Sequence, residues 1–430
     1  MSSRSMRWTA RAGVLALAVG VGAPAAWAAT WAPPPSPTAA KTFGAISDNY
    51  SWNYGSALGK LSNGKIVTGF ISDATTPEGM FVRTGTVGAA DAVSWGTPKR
   101  ISPAAKNVDR PSLSTGISNN NIYASYVTQT KYALDPTQPR QLFIRTFTAG
   151  AWQPAVPLSS KTGRVDYPVL SSTGNTVYSA FTNSNSGQVA LRVSTNAGAS
   201  FGAVKSAGTT TRIDPDDLGT NLAAWPGVCS AGTNVAVPYL SNNNTLKYSI
   251  SKDSGATWAV KSATLSTSAG TDNGWGTCDA TGNRIGFSWN QNDGVYYAEY
   301  NTSNNSFTTP ATKVFGVPGG GYNAAYGIQP ALDGASTVGL AAPLCVQDGC
   351  DYNSKATRID LNWLESSNNG GAFGSPELLG QASTTIQGGR TLNDSPSALW
   401  YDSNTRFVVY NGWDATAYKN YRLYLSTGQG

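Results

Sequence analysis

The sequence predicts an all-β fold, a seven-bladed β-propeller closed by an N-terminal strand that completes the last blade. Three observations predict it. Four short strands recur about every fifty residues, the period of a propeller blade. The seventh repeat reaches Gly430 without a fourth strand, and a solitary fourth-strand segment, Thr42 to Ile46, lies near the N-terminus. A β-sandwich lacks such a period, and a β-helix has much shorter rungs.

Each repeat begins on a short segment that often reads X-Pro. Examples are Asp109-Arg110-Pro111-Ser112-Leu113, Asp166-Tyr167-Pro168-Val169-Leu170, Trp225-Pro226, Gln329-Pro330 and Ser395-Pro396. A turn and an alternating second strand follow: KIVTGF, NIYASY, TVYSAF, NVAVPY, NRIGFSW, STVGLAA and TRFVVY. β-Branched and aromatic residues in alternation are the signature of a packed strand. Third strands follow, such as LFIRTFT and LKYSISK, and then fourth strands, such as AWQPAVPLS and TWAVKSATL. Thr42 to Ile46 reads like the outer strand begun by Ser200-Phe201-Gly202-Ala203-Val204. Adding it to the last repeat removes an open sheet edge, which would otherwise invite aggregation.

Residues 1–28 read as a signal peptide: Arg4, Arg7 and Arg11 precede an apolar run from Gly13 to Ala23 and then Ala26-Trp27-Ala28. Residues 29–40 form a Pro-rich leader, and 41–430 a single propeller domain. The apolar run is too short for a bilayer, which needs about 20 residues, so a secreted, extracellular monomer with no membrane insertion is expected. Removing the signal takes three arginines and no acid from 30 basic and 24 acidic residues. The remaining basic residues form no stripe, which argues against nucleic acid.

Four cysteines in an exported chain favour disulfides. Loop length pairs Cys345 with Cys350, and equivalent positions in successive repeats pair Cys229 with Cys278. The chain has no histidine and no zinc-knuckle spacing, so neither metal nor cofactor is expected. Asp214-Pro215-Asp216-Asp217 offers oxygen ligands without EF-hand spacing and reads as a solvated loop.

Ser251-Lys252-Asp253-Ser254-Gly255-Ala256-Thr257-Trp258 matches the Asp-box Ser-x-Asp-x-Gly-x-x-Trp, and Ser194 to Phe201 is the same box with Asn196 and Phe201. With these boxes the chain resembles the sialidase superfamily, the Asp-box or bacterial-neuraminidase-repeat propellers. The resemblance implies secreted glycan chemistry. In sialidases three arginines hold the substrate carboxylate, and a Glu-activated Tyr works with an Asp acid/base. This chain departs from them in having seven repeats rather than six and no Arg-Ile-Pro; its nearest counterpart is Arg110-Pro111.

First-strand entrances and second-to-third-strand loops share one face of a propeller, around the channel, opposite the boxes. Without histidine, acid/base chemistry there falls to carboxylates or tyrosine. Asp73, Glu78, Asp109 and Asp166 are the candidate catalytic acids. Arg110, Arg140 and Arg390 are candidate anion clamps, and Tyr167, Trp225 and Trp275 candidate sugar platforms. The expected function is cleavage of a glycan, with anionic polymers among the candidates, by hydrolase or lyase chemistry at one asymmetric site. A non-catalytic lectin is the alternative, and it would repeat one sugar pocket per blade.

Overall fold

The computed structural model describes residues 30–31, 51–52, 57–72, 77–116, 118–129, 139–183, 186–210, 225–241, 245–267, 276–291, 294–316, 327–345, 358–380, 391–413 and 421–429. They form a seven-bladed β-propeller. Blade 1 runs outward from Ser51–Trp52 and Leu58–Lys60 through Lys65–Ser72 and Gly79–Val87 to Val93–Trp95 and Lys99–Arg100. Blade 2 comprises Asn107–Gly116, Asn121–Gln129, Gln141–Thr148 and an outer strand split into Ala151–Trp152 and Val156–Pro157. Blades 3, 4 and 5 are four-stranded meanders whose first strands are Val165–Thr173, Cys229–Ala231 and Thr277–Thr281.

Blade 6 (Gln329–Leu332, Val338–Cys345, Arg358–Ser366, Glu377–Gly380) continues into blade 7 through a parallel pairing of Arg358 with Thr391 and Ile359 with Leu392. Blade 7 holds Thr391–Trp400, Thr405–Trp413 and Tyr421–Gln429, and the two-residue strand Thr30–Trp31 pairs antiparallel with the last of these. Thr42 to Ile46 lies outside the described residues, as do the signal segment 1–28 and nearly all of the leader.

The second strands are buried on both faces because each sheet packs against two neighbours. In Thr176–Asn183, Val177 and Phe181 join a cluster with Tyr123, Val127 and Leu142 of blade 2, whereas Tyr178 and Ala180 join Val235, Val237 and Tyr239 of blade 4. Small residues make room for large ones across this packing. A Cβ on Gly339 would overlap the indole of buried Trp363 on the neighbouring strand.

In blades 3, 4 and 6 the turns between third and fourth strands share one hydrogen-bond plan. In blade 4, Gly255 N donates to Ser251 Oγ (2.8 Å), Thr257 N to Asp253 Oδ1 (2.8 Å), and Thr257 Oγ1 to Asp253 Oδ2 (2.6 Å). These hydrogen bonds hold the Asp253 carboxyl well below the usual carboxylate range. Gly255, at φ +78°, takes the left-handed conformation that the turn needs. Blade 3 repeats the plan with Ser194, Asn196 and Gly198. Blade 6 repeats it again: Gly370 N donates to Ser366 Oγ (3.1 Å) and Ala372 N to Asn368 Oδ1 (2.9 Å). That third turn, Ser366 to Phe373, carries the same Ser-x-Asn-x-Gly-x-x-Phe spacing as blade 3 and was legible in the sequence, though missed there.

Neighbouring first strands diverge like spokes, so side chains tie them. Leu170 N donates to Ser112 Oγ (2.9 Å), joining blades 2 and 3, and Leu58 N donates to Ser397 Oγ (3.1 Å), joining blades 7 and 1. Between blades 5 and 6, Leu332 N donates to Asp279 Oδ2 (2.8 Å). Cys229 and Cys278 form a disulfide between the first strands of blades 4 and 5, with Cα atoms 5.6 Å apart. The Cys345–Cys350 pairing lies outside the described residues.

Two stability measurements check this packing. Gly339→Ala is expected to destabilise the fold by about 1–3 kcal/mol in urea titration, the usual cost of overfilling a packed site; unchanged stability would show that Trp363 yields freely. Asp279 has part of its surface open to the narrow channel yet is walled in by protein, and that enclosure pushes its carboxyl up from 3.8 to about 6. The folded state therefore holds this proton more tightly than the unfolded chain. The resulting stability is complete below about pH 4 and is lost as pH rises through about 6. Wild type should accordingly lose stability relative to Asp279→Asn across that window, by on the order of 3 kcal/mol, as measured by thermal unfolding at several pH values.

Candidate functional site

The site is built from a defect repeated in the first strands. In blade 2 the pairing jumps from Asp109↔Val127 to Ser112↔Ser125, leaving Arg110 and Pro111 opposite one residue, Tyr126. Blade 3 jumps from Asp166↔Thr182 to Val169↔Ala180, leaving Tyr167 and Pro168 opposite Phe181. Blade 7 does the same at Ser395 and Pro396, opposite Tyr410. Each is a β-bulge, which re-aims a side chain, and proline fits there because no ladder hydrogen bond is lost.

The residue before each proline is left-handed: Arg110 at φ 54°, Tyr167 at 47°, Ser395 at 48°, and Trp225 of blade 4 at 38°. Non-glycine residues avoid this region, and a following proline pushes its predecessor toward extended backbone. The main-chain N–H of Arg110 donates to Asp109 Oδ1 (2.7 Å), which helps to hold the conformation.

The bulges at Arg110 and Tyr167 and the left-handed backbone at Trp225 place three side chains in a row over consecutive blades. The guanidinium of Arg110 lies 4.2 Å from the centroid of the Tyr167 ring, and the Tyr167 and Trp225 centroids are 4.8 Å apart. Arg110, Tyr167 and Trp225 are 4%, 8% and 9% exposed and form a continuous wall at one end of the central channel. The channel has a volume of about 350 Å³, within the usual range for ligand pockets, and first strands of all seven blades contribute to it. Below the wall it is lined by hydroxyls, including the Ser114–Ser172 and Ser171–Ser230 contacts at 2.8 Å. Its charged lining residues, among those described, are Lys60, Arg110 and Asp279.

The structure brings Asp109 beside this wall: its carboxylate lies 3.5 Å from Arg110 Nη1. Asp166 occupies the equivalent place in the blade 3 strand, preceding Tyr167. Glu78 is 9% exposed and immediately precedes the third strand of blade 1, where its N–H donates to Asn107 Oδ1 of blade 2 (3.2 Å). It alternates with Met80 and Val82, which pack on blade 2. Arg140 immediately precedes the third strand of blade 2 and is 4% exposed. Asp73, Trp275 and Arg390 lie outside the described residues, as does Asp214 to Asp217. Sequence reasoning missed Arg164, 7% exposed, which forms a parallel bridge with Arg140.

At the opposite ends of the sheets lies a buried ionic network. Arg284 pairs with Glu299 through Nε–Oε1 and Nη2–Oε2, both at 2.9 Å, and Tyr297 OH donates to Glu299 Oε2 (2.9 Å). Glu299 is 1% exposed, and burial together with its negative charge raises the Tyr297 hydroxyl well above the usual tyrosine range. A tyrosine–glutamate pair so enclosed holds blade 5 together and has no access to a polymer.

No family model matches the sequence, and no curated protein matches it. Among solved structures, an ulvan lyase of polysaccharide lyase family PL25, bound to a GlcA-containing saccharide, superimposes with a TM-score of 0.51 at 11% identity, covering 92% of this chain and 95% of its own. The Hadza microbial sialidase Hz136 gives 0.47 at 8% identity; the match covers 87% of this chain and 65% of the sialidase. The phage phi92 endosialidase gives 0.47 at 10% identity, covering 93% of this chain and 68% of its own. In fold, then, the chain is remotely similar to the ulvan lyase.

Proposed function

We propose that the chain is a secreted carbohydrate-active propeller that cleaves a glycan at the channel end bearing Arg110, Tyr167 and Trp225. The observation that carries this reading is the row itself. Three consecutive blades hold a non-glycine residue in a strained conformation before proline, and Tyr167 touches both Arg110 and Trp225 at the channel. Each such conformation costs on the order of 1–3 kcal/mol, and strain of this kind clusters at binding and catalytic sites. An arginine and two aromatic rings suit a sugar, whose C–H faces stack while its hydroxyls and acidic groups accept hydrogen bonds.

In this reading the acid/base groups come from Asp73, Glu78, Asp109 and Asp166, and the sugar-binding set includes Trp275, Arg140 and Arg390. Asp109 is oriented by two contacts with Arg110, and tyrosine is the other proton carrier in a chain without histidine. The ulvan lyase that shares the architecture acts on a polysaccharide, which supports a glycan substrate. The same proposal includes export with removal of 1–28, a propeller domain over 41–430, and closure of blade 7 by Thr42 to Ile46.

The test is incubation with a panel of neutral, uronate-containing and sulfated polysaccharides. A lyase leaves an unsaturated product with ultraviolet absorbance, whereas a hydrolase leaves new reducing ends without it. Because Tyr167 and Trp225 pack on each other, truncating either would weaken the fold as well as the site, so polar replacements are more informative. Asp109→Asn or Glu78→Gln should cost on the order of a hundredfold or more in kcat if the residue is the general acid or base, with circular dichroism unchanged. Saturable binding without any product would make the lectin reading the better one. Absence of both binding and cleavage across the panel would end the proposal.

A further inference from the structure

We infer that Asp279 and Gln329 form a hydroxyl-reading subsite on the blade 5–6 side of the channel, and that its ligand is a neutral sugar residue entering as a chain end or side branch. The subsite rests on the glycan reading and deepens it by naming the sugar that enters. Thr277, Asp279 and Thr281 alternate along the first strand of blade 5 with Cys278, whose disulfide faces blade 4. They therefore face blade 6, where Thr277 Oγ1 donates to Ile328 O and Leu332 N donates to Asp279 Oδ2 (2.8 Å). Gln329 opens the first strand of blade 6, and both it and Asp279 are half-buried and line the channel. A ligand in this cavity thus has aromatic faces supplied by blades 3 and 4 and polar groups supplied by blades 5 and 6.

Both groups keep hydrogen-bonding capacity that the protein does not use. An ionised carboxylate has about four acceptor sites. Asp279 fills two of them, with the N–H groups of Ala280 (2.8 Å) and Leu332. The Gln329 side chain makes one hydrogen bond among the described residues, Nε2 to Pro330 O (3.3 Å), which leaves its carbonyl oxygen and a second N–H for a ligand. The charged groups around Asp279 are engaged elsewhere. Lys60 Nζ donates to Tyr401 O and sits 4.5 Å from that ring's centroid, and Arg110 lies on Tyr167 against Asp109. Arg284, on the second strand of blade 5, is held by Glu299 and Asp333, and the Tyr297 hydroxyl donates to Glu299. Among the described residues Asp279 therefore has no paired cation, and its enclosed carboxyl keeps its proton up to about pH 6. Sugar hydroxyls suit such a group because they donate to it without bringing charge into the channel. A sugar carboxylate would instead meet it as a like charge. First strands of all seven blades surround the cavity, so a chain end or branch can enter it and the middle of a polymer cannot.

The direct probes are the methyl glycosides of glucose, galactose, mannose and xylose, with methyl glucuronoside as the charged counterpart. Binding is read by calorimetric titration at about pH 5 and about pH 7.5, on either side of the Asp279 transition. Wild type should bind at least one neutral glycoside saturably and more tightly at the higher pH, where the ionised carboxylate is the stronger acceptor, and should bind the glucuronoside less well there. Asp279→Asn should lose about tenfold or more in affinity for the neutral glycoside at the higher pH, the worth of one charge-assisted hydrogen bond. The same variant should lose the pH dependence. Gln329→Ala should weaken the neutral glycoside while leaving the pH dependence in place, and it stands in for Asp279→Asn if that variant does not fold.

Each result bears on the subsite separately from cleavage. No neutral glycoside bound by wild type, or affinity and pH dependence unchanged in both variants, overturns the subsite, and a polysaccharide cleaved by the same protein would leave the proposed function standing. Tighter binding of the glucuronoside than of every neutral glycoside at the higher pH overturns it as well. Neutral glycoside binding lost in the variants, with no polysaccharide cleaved by wild type, would keep the subsite and remove the cleavage.

Discussion

The fold turns on the bulge before proline in the first strands. A regular inner strand would alternate its side chains between the two neighbouring blades and present little to the channel. Inserting one residue at Arg110, Tyr167 and Ser395 breaks that alternation, and the left-handed backbone at these positions and at Trp225 turns the chain. The insertion also fixes the register of the strand beyond it. Ser112 and Ser397, each two residues after a left-handed residue, accept the main-chain N–H bonds of the next blade. One local distortion, costing on the order of 1–3 kcal/mol per residue, thus serves both the closure of the ring and the lining of its channel. The stitches and the face-to-face packing of buried second strands hold it in place.

Much of this was legible in the sequence, for a physical reason that differs from element to element. The X-Pro pairs and the aromatic residues ending NIYASY, TVYSAF and TRFVVY recur in step, and the structure shows why: Tyr126, Phe181 and Tyr410 lie opposite the bulges. Seven blades follow from counting the repeated second strands. The disulfide of Cys229 and Cys278 was readable because equivalent positions in adjacent blades are neighbours in space. What the sequence could not reveal is contact across blades. Nothing in Arg110, Tyr167 and Trp225 as letters says that they touch, or that they are nearly buried rather than displayed as open platforms. Arg164 escaped notice because its significance is its bridge to Arg140, which spans the third and fourth strands of blade 2.

Charge is divided between the two ends of the sheets in different ways. At the turn end, arginines are neutralised in place: Arg284 by Glu299, and Arg406 by Glu365, which also accepts from Trp363 Nε1. Such buried pairs are expensive to break from one side, by about 3–5 kcal/mol, and they fix neighbouring strands in register. Near the Arg110 wall, Asp109 is placed against Arg110, and Arg140 and Arg164 meet in a backbone bridge between blades 2 and 3. Acidic and aromatic residues therefore occur at both ends of the sheets. Among the described residues, Arg110, Tyr167 and Trp225 line the channel from left-handed backbone.

The covalent bond between Cys229 and Cys278 bears on how such a wheel comes apart. A closed ring of blades has no free edge at which to fray, so its first large opening must separate one blade from its neighbour. The junction of blades 4 and 5 is excluded from that choice while the disulfide is intact, and the strand continuity between blades 6 and 7 makes theirs a poor alternative. Rupture is thereby directed to the remaining junctions, among them the one that closes blade 7 onto blade 1. In a reducing environment the wheel gains another place to break. Its lifetime, unlike its shape, would then depend on the redox state of its surroundings.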